Sequence, residues 1–428
     1  MRRNRGKADR KSSHSCVSAT VSRGTDVTSI AKREPQDAAH LGRAAAQRAD
    51  IASFIVMDVM TAAAAKEAAG AHVIHMEVGQ PSTAAPKAAR AAVLRALDTE
   101  TLGYTLALGI TPLRQRIAEL YRQWYGLDIS PERIVVTSGS SAAFVLSFLA
   151  LFDVGSTVAL PNPGYPCYRH ILTSLGVKHT LLHTGPENRW MPTVCDVDAL
   201  ASRESIAGLL LASPANPTGT MIEPQRLAEI IAVCKARGLW FISDEIYHGL
   251  TFGLAEDTAL RYSDDVIVIN SFSKYFSMTG WRVGWMVVPD RLVRTVERLA
   301  QNLYISPPGV SQVAALGAFD GIDELKANRA TYQANRDLLL AAFPKLGFDR
   351  IVPADGAFYL YVDVSAYTND SLAFAKTMLD EIGIAATPGL DFDPERGHQF
   401  MRFSFARSTA DMAEAVRRLQ TWQRLKRA

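Results

Sequence analysis

Cysteines are scarce in this sequence, and the few that it has form no recognisable pattern. The 428 residues include four of them, far apart and without a Cys-x-x-Cys pair: Cys16, Cys167, Cys195 and Cys234. Such spacing favours neither a zinc site nor a disulfide framework, and it fits a reducing cytoplasm. His72 and His75 have no plausible third ligand nearby, so we predict that no metal is bound.

Long apolar runs and a basic face are missing as well. No segment reaches the roughly 18 apolar residues that a membrane-spanning helix needs, and residues 142–152 predict only a short buried helix. The formal net charge is +3, but residues 1–50 hold 11 Lys/Arg and 5 Asp/Glu, which leaves −3 on the remainder. Because that remainder has no basic stripe with interleaved aromatic residues, we predict neither a membrane nor a nucleic acid as a partner.

Most of the chain is ordinary globular material. It is 48% hydrophobic and 21% charged, has no internal repeat, and is long enough for two domains with a sizeable core. Residues 1–47 differ, because they are rich in Arg and Ser and show little apolar periodicity. We predict a disordered basic extension there. An organelle transit peptide or an over-extended start codon would leave the same composition.

The most informative residue is Lys274, which follows the apolar, strand-like residues 266–269. Ser271 and Ser273 precede it, and Arg282 follows a Thr-Gly-Trp turn. An amine at the end of a buried strand can form a Schiff base with an aldehyde, while hydroxyls and a guanidinium gather around a phosphate. Desolvation there favours the neutral amine that such chemistry needs. An isolated lysine is more often a solvated surface residue, but these neighbours favour a site for an aldehyde cofactor that carries a phosphate.

Two further strand-like runs end in polar residues. Residues 208–213 lead into a turn that contains Asn216, and residues 239–242 lead into Asp244 and Tyr247. Taken singly, Asn216 is an ordinary turn former and Asp244 an ordinary helix N-cap.

A third run, residues 134–136, ends in a Thr-Ser-Gly-Ser-Ser segment that includes Ser140 and Ser141 and opens a predicted helix. The N-terminus of a helix offers backbone N–H groups and a positive dipole end to a phosphate. In open α/β sheets, ligands bind outside the carboxyl ends of parallel strands. The joint occurrence of these motifs therefore predicts one shared pocket.

These motifs resemble those of the fold-type I, class I/II aminotransferases of the aspartate aminotransferase superfamily, from about Arg48 to the C-terminus. The resemblance implies an α/β fold, with a large domain whose mostly parallel central sheet is flanked by helices and a smaller α/β domain. We expect an N-terminal segment at residues 48–83 that packs with the small domain. The large domain is expected at residues 84–305 and the small one at residues 306–428, where residues 411–427 predict a basic C-terminal helix.

The resemblance also implies pyridoxal 5′-phosphate (PLP) as the cofactor and gives the motif residues their roles. Lys274 would carry the cofactor as a Schiff base, and Arg282 would bind its phosphate. Asn216 and Tyr247 would hydrogen-bond its phenolate oxygen. Asp244 would pair with the pyridine nitrogen and keep it protonated, which makes the ring an electron sink.

Four more residues match the family's pattern. Arg402, in a late Arg-x-Ser-Phe-Ala run, would clamp the substrate α-carboxylate with two parallel hydrogen bonds. Gly79, in a Gly-x-Pro loop, would let the backbone approach the same carboxylate, beside Asn216. Tyr165 would stack on the pyridine ring, and Tyr104 would reach the partner's phosphate across a homodimer interface. Either tyrosine could instead serve core packing.

The resulting prediction is an enzyme that moves an α-amino group between an L-amino acid and a 2-oxo acid. Lys274 would first anchor the cofactor and then act as the base at the substrate Cα. A β-lyase or a related decarboxylase would use the same pocket. A cofactor-sensing regulator would need a DNA-binding domain, for which the N-terminal tail is too short and irregular. The sequence does not select a substrate side chain.

Overall fold

Short apolar runs form the strands of this computed structural model, which describes residues 45–426. The predicted extension at residues 1–47 lies outside the described residues except for its last three. The described residues from Arg48 onward form one compact unit. They contain eleven strands: β1 Ile74–Met76, β2 Ile134–Thr137, β3 Thr157–Asn162, β4 Lys178–His183, β5 Gly208–Ala212, β6 Trp240–Asp244, β7 Ile267–Ser271, β8 Gly284–Val287, β9 Tyr359–Asp363, β10 Ile384–Pro388 and β11 Phe400–Ser404.

Helices connect most of these strands. Within the described part of the chain they are α1 Ile55–Ala68, α2 Lys87–Thr99, α3 Thr111–Tyr125, α4 Gly139–Leu151, α5 Pro166–Ser174, α6 Val194–Arg203, α7 Pro224–Ala236, α8 Asp290–Leu303, α9 Gly309–Ala318, α10 Ile322–Ala342, α11 Ser371–Ile382 and α12 Thr409–Thr421. None of the helices within residues 45–426 is long and apolar enough to cross a membrane.

The larger sheet has seven strands in the order β2-β8-β7-β6-β5-β3-β4. Strand β8 pairs antiparallel with both β2 and β7, and the other neighbours pair in parallel. All strands except β8 therefore point the same way. Their carboxyl ends meet at one edge of the sheet, which is where ligands bind in such folds.

Both faces of this sheet are buried. Along β5, Leu209 and Leu211 belong to one apolar core and Leu210 to another, and Phe241 and Ile242 on β6 divide in the same way. Successive side chains of a strand point to opposite faces, so a strand that is covered on both sides must be apolar throughout. The uninterrupted apolar runs of the sequence are explained by this packing.

The smaller sheet has four strands in the order β1-β10-β11-β9. Strand β1 is parallel to β10, and the remaining pairs are antiparallel. The predicted α/β class, with a large and mostly parallel sheet flanked by helices, is confirmed. The domain boundaries at residues 84 and 306 stay a prediction.

Two predicted helix boundaries were wrong. Helix α4 begins at Gly139 rather than at residue 142, which places Ser140 and Ser141 in its first turn. The C-terminal helix α12 ends at Thr421, well before residue 427. There the ring of Trp422 packs on Phe374 at 5.2 Å between centroids and its indole N–H donates to Glu381, so these contacts override the helical periodicity.

Candidate active site

A cavity lies at the carboxyl ends of the parallel strands, and most of the predicted site residues line it. They are Gly79, Ser140, Ser141, Tyr165, Asn216, Asp244, Tyr247, Ser273, Lys274, Arg282 and Arg402. Ser271 and Tyr104 are not in the lining. The strand ends thus bring together residues that are as far apart in the sequence as Gly79 and Arg402.

Lys274 projects into this cavity three residues after β7 ends. Its Nζ donates a hydrogen bond to the Gly79 carbonyl oxygen at 2.6 Å. Desolvation, together with the positive charge of Arg402, lowers the pKa of Lys274 to about 8, although Asp244 opposes the shift. The neutral amine, which is the form that attacks a carbonyl, is therefore far more populated near neutral pH than in an ordinary lysine.

Asp244 occupies the last position of β6 and is 3% exposed. Its Oδ1 accepts from the backbone N–H of Ile246 at 3.1 Å, and its Oδ2 accepts from the Tyr168 hydroxyl. Burial raises the pKa of Asp244 to about 6, while these two hydrogen bonds oppose the increase. The carboxylate therefore needs a cationic partner in the cavity to compensate for its desolvation.

Arg402 lies on β11 of the smaller sheet and is also buried. One terminal nitrogen donates to Asn216 Oδ1 at 2.7 Å, and the other donates to the Glu77 carbonyl oxygen and to Thr387 Oγ1. Its Nε has no hydrogen-bond partner among the described residues. A buried guanidinium that has no carboxylate partner within residues 45–426, beside a cavity, is suited to receive an anionic ligand.

A second anion-binding region lies where β2 turns into α4. Gly139 has a φ of +77°, and a Cβ at this position would lie 2.4 Å from Arg282 Nη2. The guanidinium therefore sits directly against the first turn of α4, beside Ser140 and Ser141. A helix N-terminus and an arginine together form a cradle for a phosphate.

Two residues of the predicted phosphate set have other surroundings. Ser271 is buried behind the cavity, and its Oγ lies 2.9 Å from Ser273 Oγ and 3.2 Å from the Val283 carbonyl oxygen. It thus contacts Ser273 rather than the cavity. Tyr104 is 84% exposed on the surface of the single chain. Its predicted role across an interface stays a prediction.

Sequence reasoning missed several residues of the lining. Tyr168 and Tyr359 are buried aromatic residues that contact Asp244 and Tyr247, and Phe54 packs edge-on against Tyr165 with ring centroids 5.8 Å apart. Tyr168 lies one helical turn after Tyr165, and that spacing was the one available signal. Tyr359 and Phe54 reach the site through tertiary contacts alone.

No group of three or more His, Cys, Asp or Glu side chains among residues 45–426 could hold a metal ion. The three cysteines of the described region are free, and Cys167 is the one that lines the cavity. The polar groups at the site are therefore an amine, two guanidiniums, a carboxylate, an amide and several hydroxyls. This set suits a ligand with a phosphate and a second ligand with a carboxylate.

Comparison with known proteins identifies the family. The sequence model of the family described as aminotransferase class I and II matches residues 71–419. A valine–pyruvate aminotransferase from Mycobacterium tuberculosis is 46% identical over 384 residues, which cover 88% of this chain and 98% of that protein. A (5-formylfuran-3-yl)methyl phosphate transaminase from Methanocaldococcus jannaschii is 33% identical over 377 residues, 86% of this chain and 96% of that one.

Solved structures agree. An aminotransferase from Mycobacterium tuberculosis superposes with a TM-score of 0.87 at 45% identity, covering 89% of this chain and 99% of that one. Aspartate aminotransferase from Thermus thermophilus with maleate superposes with a TM-score of 0.82 at 27% identity, covering 88% of this chain and 98% of that one. Fold and site thus define an α/β enzyme of the aspartate aminotransferase type. The chain belongs to the aminotransferase class I and II family, and it is an aminotransferase.

Proposed function

We propose that this aminotransferase uses pyridoxal 5′-phosphate, attached covalently to Lys274, to move the α-amino group of an L-amino acid with an aliphatic side chain to a 2-oxo acid. When bound, PLP supplies an aldehyde that condenses with amines and a protonated ring that withdraws electrons from the substrate Cα. The observation that carries the proposal is the lowered pKa of Lys274, about 8, in a cavity that also holds a buried carboxylate and a phosphate cradle.

The cavity residues fit each part of this cofactor. The Arg282 guanidinium and the first turn of α4 suit the phosphate, since a Cβ at Gly139 would fill the space between them. Asp244, buried and desolvated, suits the protonated pyridine nitrogen, whose charge would compensate the carboxylate. Tyr165 lies in the lining as an aromatic face for the ring, and Asn216 and Tyr247 offer hydrogen bonds to its oxygen.

Lys274 would serve in two roles. As a neutral amine it would be the attachment point that holds the cofactor's aldehyde through a covalent bond. Once free, the same amine lies within the cavity as a base that takes the proton from the substrate Cα and returns it elsewhere on the bound molecule. The short hydrogen bond to the Gly79 carbonyl oxygen holds the free amine inside the site.

Arg402 is proposed to bind the substrate α-carboxylate. Its guanidinium is fixed by Asn216, Glu77 and Thr387 and lies between the rings of Tyr359 and Phe392, with Cζ at 4.3 and 4.6 Å from the centroids. A guanidinium that is held in one plane loses little further entropy when it forms a bidentate pair with a carboxylate. That pair also neutralises a buried charge.

The preference for an aliphatic side chain rests on the walls of the cavity. Phe54, Val56, Met57, Val78, Ile171 and Ile246 contribute apolar surface. The cations in the described lining are Lys274, Arg282 and Arg402, each of which already has a role, so no positive group is left for an acidic side chain. The similarity to a valine–pyruvate aminotransferase supports the same substrate class.

We further propose that the enzyme is a cytoplasmic homodimer. Exposed apolar side chains on α2 and on the loop that contains Tyr104 support an interface, and Leu94, Tyr104 and Leu106 are 66%, 84% and 65% exposed. The backbone N–H of Thr105 donates to Ser306 Oγ at 3.3 Å, which places the exposed Ile305 beside this loop. Burial of such a surface is the usual source of dimer stability.

A panel of amino donors tests the proposal. Purified enzyme loaded with PLP is given valine, alanine, phenylalanine or aspartate, each with pyruvate or 2-oxoglutarate, and product formation is measured. We expect valine to exceed aspartate in kcat/KM by at least about tenfold, because an unpaired carboxylate on an apolar wall is costly. A preference for aspartate would overturn the aliphatic assignment. Repeated turnover of a β-substituted amino acid to 2-oxo acid and ammonia without any acceptor, beyond one equivalent per active site, would indicate a β-lyase instead.

A further inference from the structure

Tyr359 lies between the substrate-binding arginine and the cofactor-binding tyrosine. It is the first residue of β9, is 1% exposed and lines the cavity. Its ring faces the Arg402 guanidinium, and its hydroxyl lies 2.6 Å from the hydroxyl of Tyr247. One side chain thus contacts the two groups that are proposed to orient the two reactants.

The contact with Arg402 follows from strand register. On the neighbouring strand Arg402 pairs with Tyr361, which places Tyr359 two residues away on the same face. Diagonal neighbours of this kind are within reach of long side chains. The guanidinium then lies between the rings of Tyr359 and Phe392, and stacking on aromatic faces holds its plane.

The contact with Tyr247 depends on a glycine. A Cβ at Gly79 would lie 1.7 Å from Tyr359 Oη, so the hydroxyl occupies space that any other residue would fill. The Gly79 carbonyl oxygen accepts from Lys274 Nζ on the same short segment. Gly79 thus brings Tyr359 and Lys274 close together.

The direction of the hydroxyl pair has a chemical consequence. Burial raises the pKa of both Tyr359 and Tyr247, so both hydroxyls keep their protons. Each hydroxyl has one proton to donate. If Tyr247 donates to the cofactor ring oxygen, the pair requires Tyr359 to donate to Tyr247, and a donor that itself accepts a hydrogen bond is polarised and becomes a stronger donor.

We propose that Tyr359 is a positioning residue with two separable tasks, its ring fixing the Arg402 guanidinium for the substrate carboxylate and its hydroxyl orienting the Tyr247 hydroxyl toward the cofactor. The proposal rests on the function proposed above. It predicts that removal of the hydroxyl affects the bound cofactor, whereas removal of the ring affects carboxylate binding as well.

Two variants separate the tasks. Tyr359→Phe keeps the ring and loses the hydroxyl. The hydrogen bond to the ring oxygen then weakens, so the pH midpoint of the visible absorbance of bound PLP should rise by about half a unit or more. The dissociation constant of 3-methylbutanoate, a carboxylate with the valine skeleton and no amine, should stay within about twofold of wild type, since the stacked ring is retained.

Tyr359→Leu removes the ring as well. Arg402 then loses one of its two aromatic faces, so 3-methylbutanoate should bind at least about fivefold more weakly, and KM for valine should rise more than kcat falls. Tyr361→Phe is the matched control, because it deletes a buried hydroxyl on the same strand that has no hydrogen-bond partner among the described residues. The control should change neither the absorbance midpoint nor carboxylate binding.

The outcomes are distinct. If wild type gives no visible absorbance with PLP, the proposed function fails and the role of Tyr359 fails with it. If wild type binds PLP and transaminates but Tyr359→Phe keeps the wild-type midpoint, the hydroxyl role is overturned alone. If Tyr359→Leu loses thermal stability and yet binds 3-methylbutanoate as wild type does, the ring is merely structural, and that part of the proposal is overturned.

Discussion

At the scale of single residues, the site depends on two ionisable groups whose pKa values shift toward each other. Burial raises the pKa of Asp244 to about 6 and lowers that of Lys274 to about 8. Within the cavity the charged form of each group is desolvated. A cationic ring nitrogen would compensate the Asp244 carboxylate, and an aldehyde would react with the neutral Lys274 amine. Both interactions would therefore favour binding of the proposed cofactor.

The Asp244 shift gives a prediction for the cofactor-free protein. The pKa of Asp244 is about 6 in the folded state and the ordinary 3.8 in the unfolded state. Between pH 3.8 and about 6 the folded state therefore holds a proton that the unfolded state has lost. The stability that this proton provides is lost as pH rises through that window. Asp244→Asn does not ionise. Its free energy of unfolding relative to wild type should therefore increase by about 2 kcal/mol from about pH 4 to about pH 7.

Urea unfolding of the two cofactor-free proteins at several pH values measures this difference. A constant difference across the range would show that Asp244 is not desolvated as described. The cofactor-bound state should reverse the order, because there the carboxylate would pair with the ring nitrogen and Asn cannot replace that charge.

A second prediction at this scale concerns Arg402. Arg402→Lys keeps the positive charge but loses the bidentate geometry. The resulting decrease in kcat/KM for the amino acid should correspond to a loss of about 2 to 4 kcal/mol of transition-state stabilisation. The visible absorbance of bound PLP should remain. Steady-state kinetics and cofactor titration measure the two quantities separately, and loss of cofactor with intact amino-acid kinetics would contradict the assigned role.

From strand patterns alone the sequence placed one kind of site residue, and the family resemblance added others such as Gly79 and Arg402. Lys274, Asp244 and Asn216 could be placed because each follows an apolar run, and the ends of parallel strands converge whatever the rest of the fold does. Tyr359 could not, since its role depends on side chains that are distant in sequence, and Tyr168 had only its helical spacing from Tyr165 to indicate it. A buried tyrosine in a strand has the same appearance in a sequence whether its hydroxyl is unpaired among the described residues, as in Tyr361, or meets another hydroxyl.

At the scale of elements, the turn from β2 into α4 carries the phosphate cradle. Gly139→Ala places a methyl group against Arg282 at a positive φ, and so it both strains the backbone and displaces the guanidinium. PLP affinity should fall at least about tenfold, because a charged contact to the phosphate is lost. Equilibrium titration of the cofactor-free variant with PLP measures the effect.

Gly155→Ala is the matched control for this variant. Gly155 has a φ of +88°, and apart from its two chain neighbours no described residue has an atom within 4 Å of the place that the alanine methyl group would take. The control therefore shares the backbone strain of a side chain at positive φ, about 1 to 2 kcal/mol, and lacks the collision with Arg282. Equal PLP affinity in the two variants would show that the cradle is not where the phosphate binds.

Element boundaries were less predictable than element positions. The apolar periodicity of residues 325–343 indicates a helix, and α10 spans Ile322–Ala342. The end of α12, in contrast, depends on Trp422, whose indole donates to Glu381 on a different helix. Helix α4 begins at Gly139, which has a positive φ, three residues before the predicted start. Local apolar periodicity carries no information on the hydrogen bond of Trp422 or on the backbone conformation of Gly139.

At the scale of the whole molecule, Tyr104 is the residue whose predicted role would require a second copy of the chain. If its hydroxyl reaches the partner's phosphate, mixing Lys274→Ala with Tyr104→Phe subunits gives hybrid dimers with one intact pocket and one doubly defective pocket. Activity should partly recover on subunit exchange. The single Tyr104→Phe variant must be clearly impaired for the comparison, and loss of a hydrogen bond to a charged phosphate is worth about 1.5 to 3 kcal/mol.

Activity measured before and after the two proteins are mixed and allowed to exchange subunits provides the readout. Recovery above the parents supports a site completed by both chains. If Tyr104 acted within its own chain, each hybrid pocket would carry one defect, and the mixture would stay at the level of its parents.

The central claim is that Lys274 holds the cofactor, and one measurement tests it most directly. Wild-type protein loaded with PLP is reduced with borohydride, which makes the bond permanent, and the digested peptides are analysed by mass. The account predicts the added cofactor mass on the peptide that contains Lys274, and no such mass anywhere in Lys274→Ala. Cofactor found on a different lysine of the wild-type protein, or on none, would contradict it.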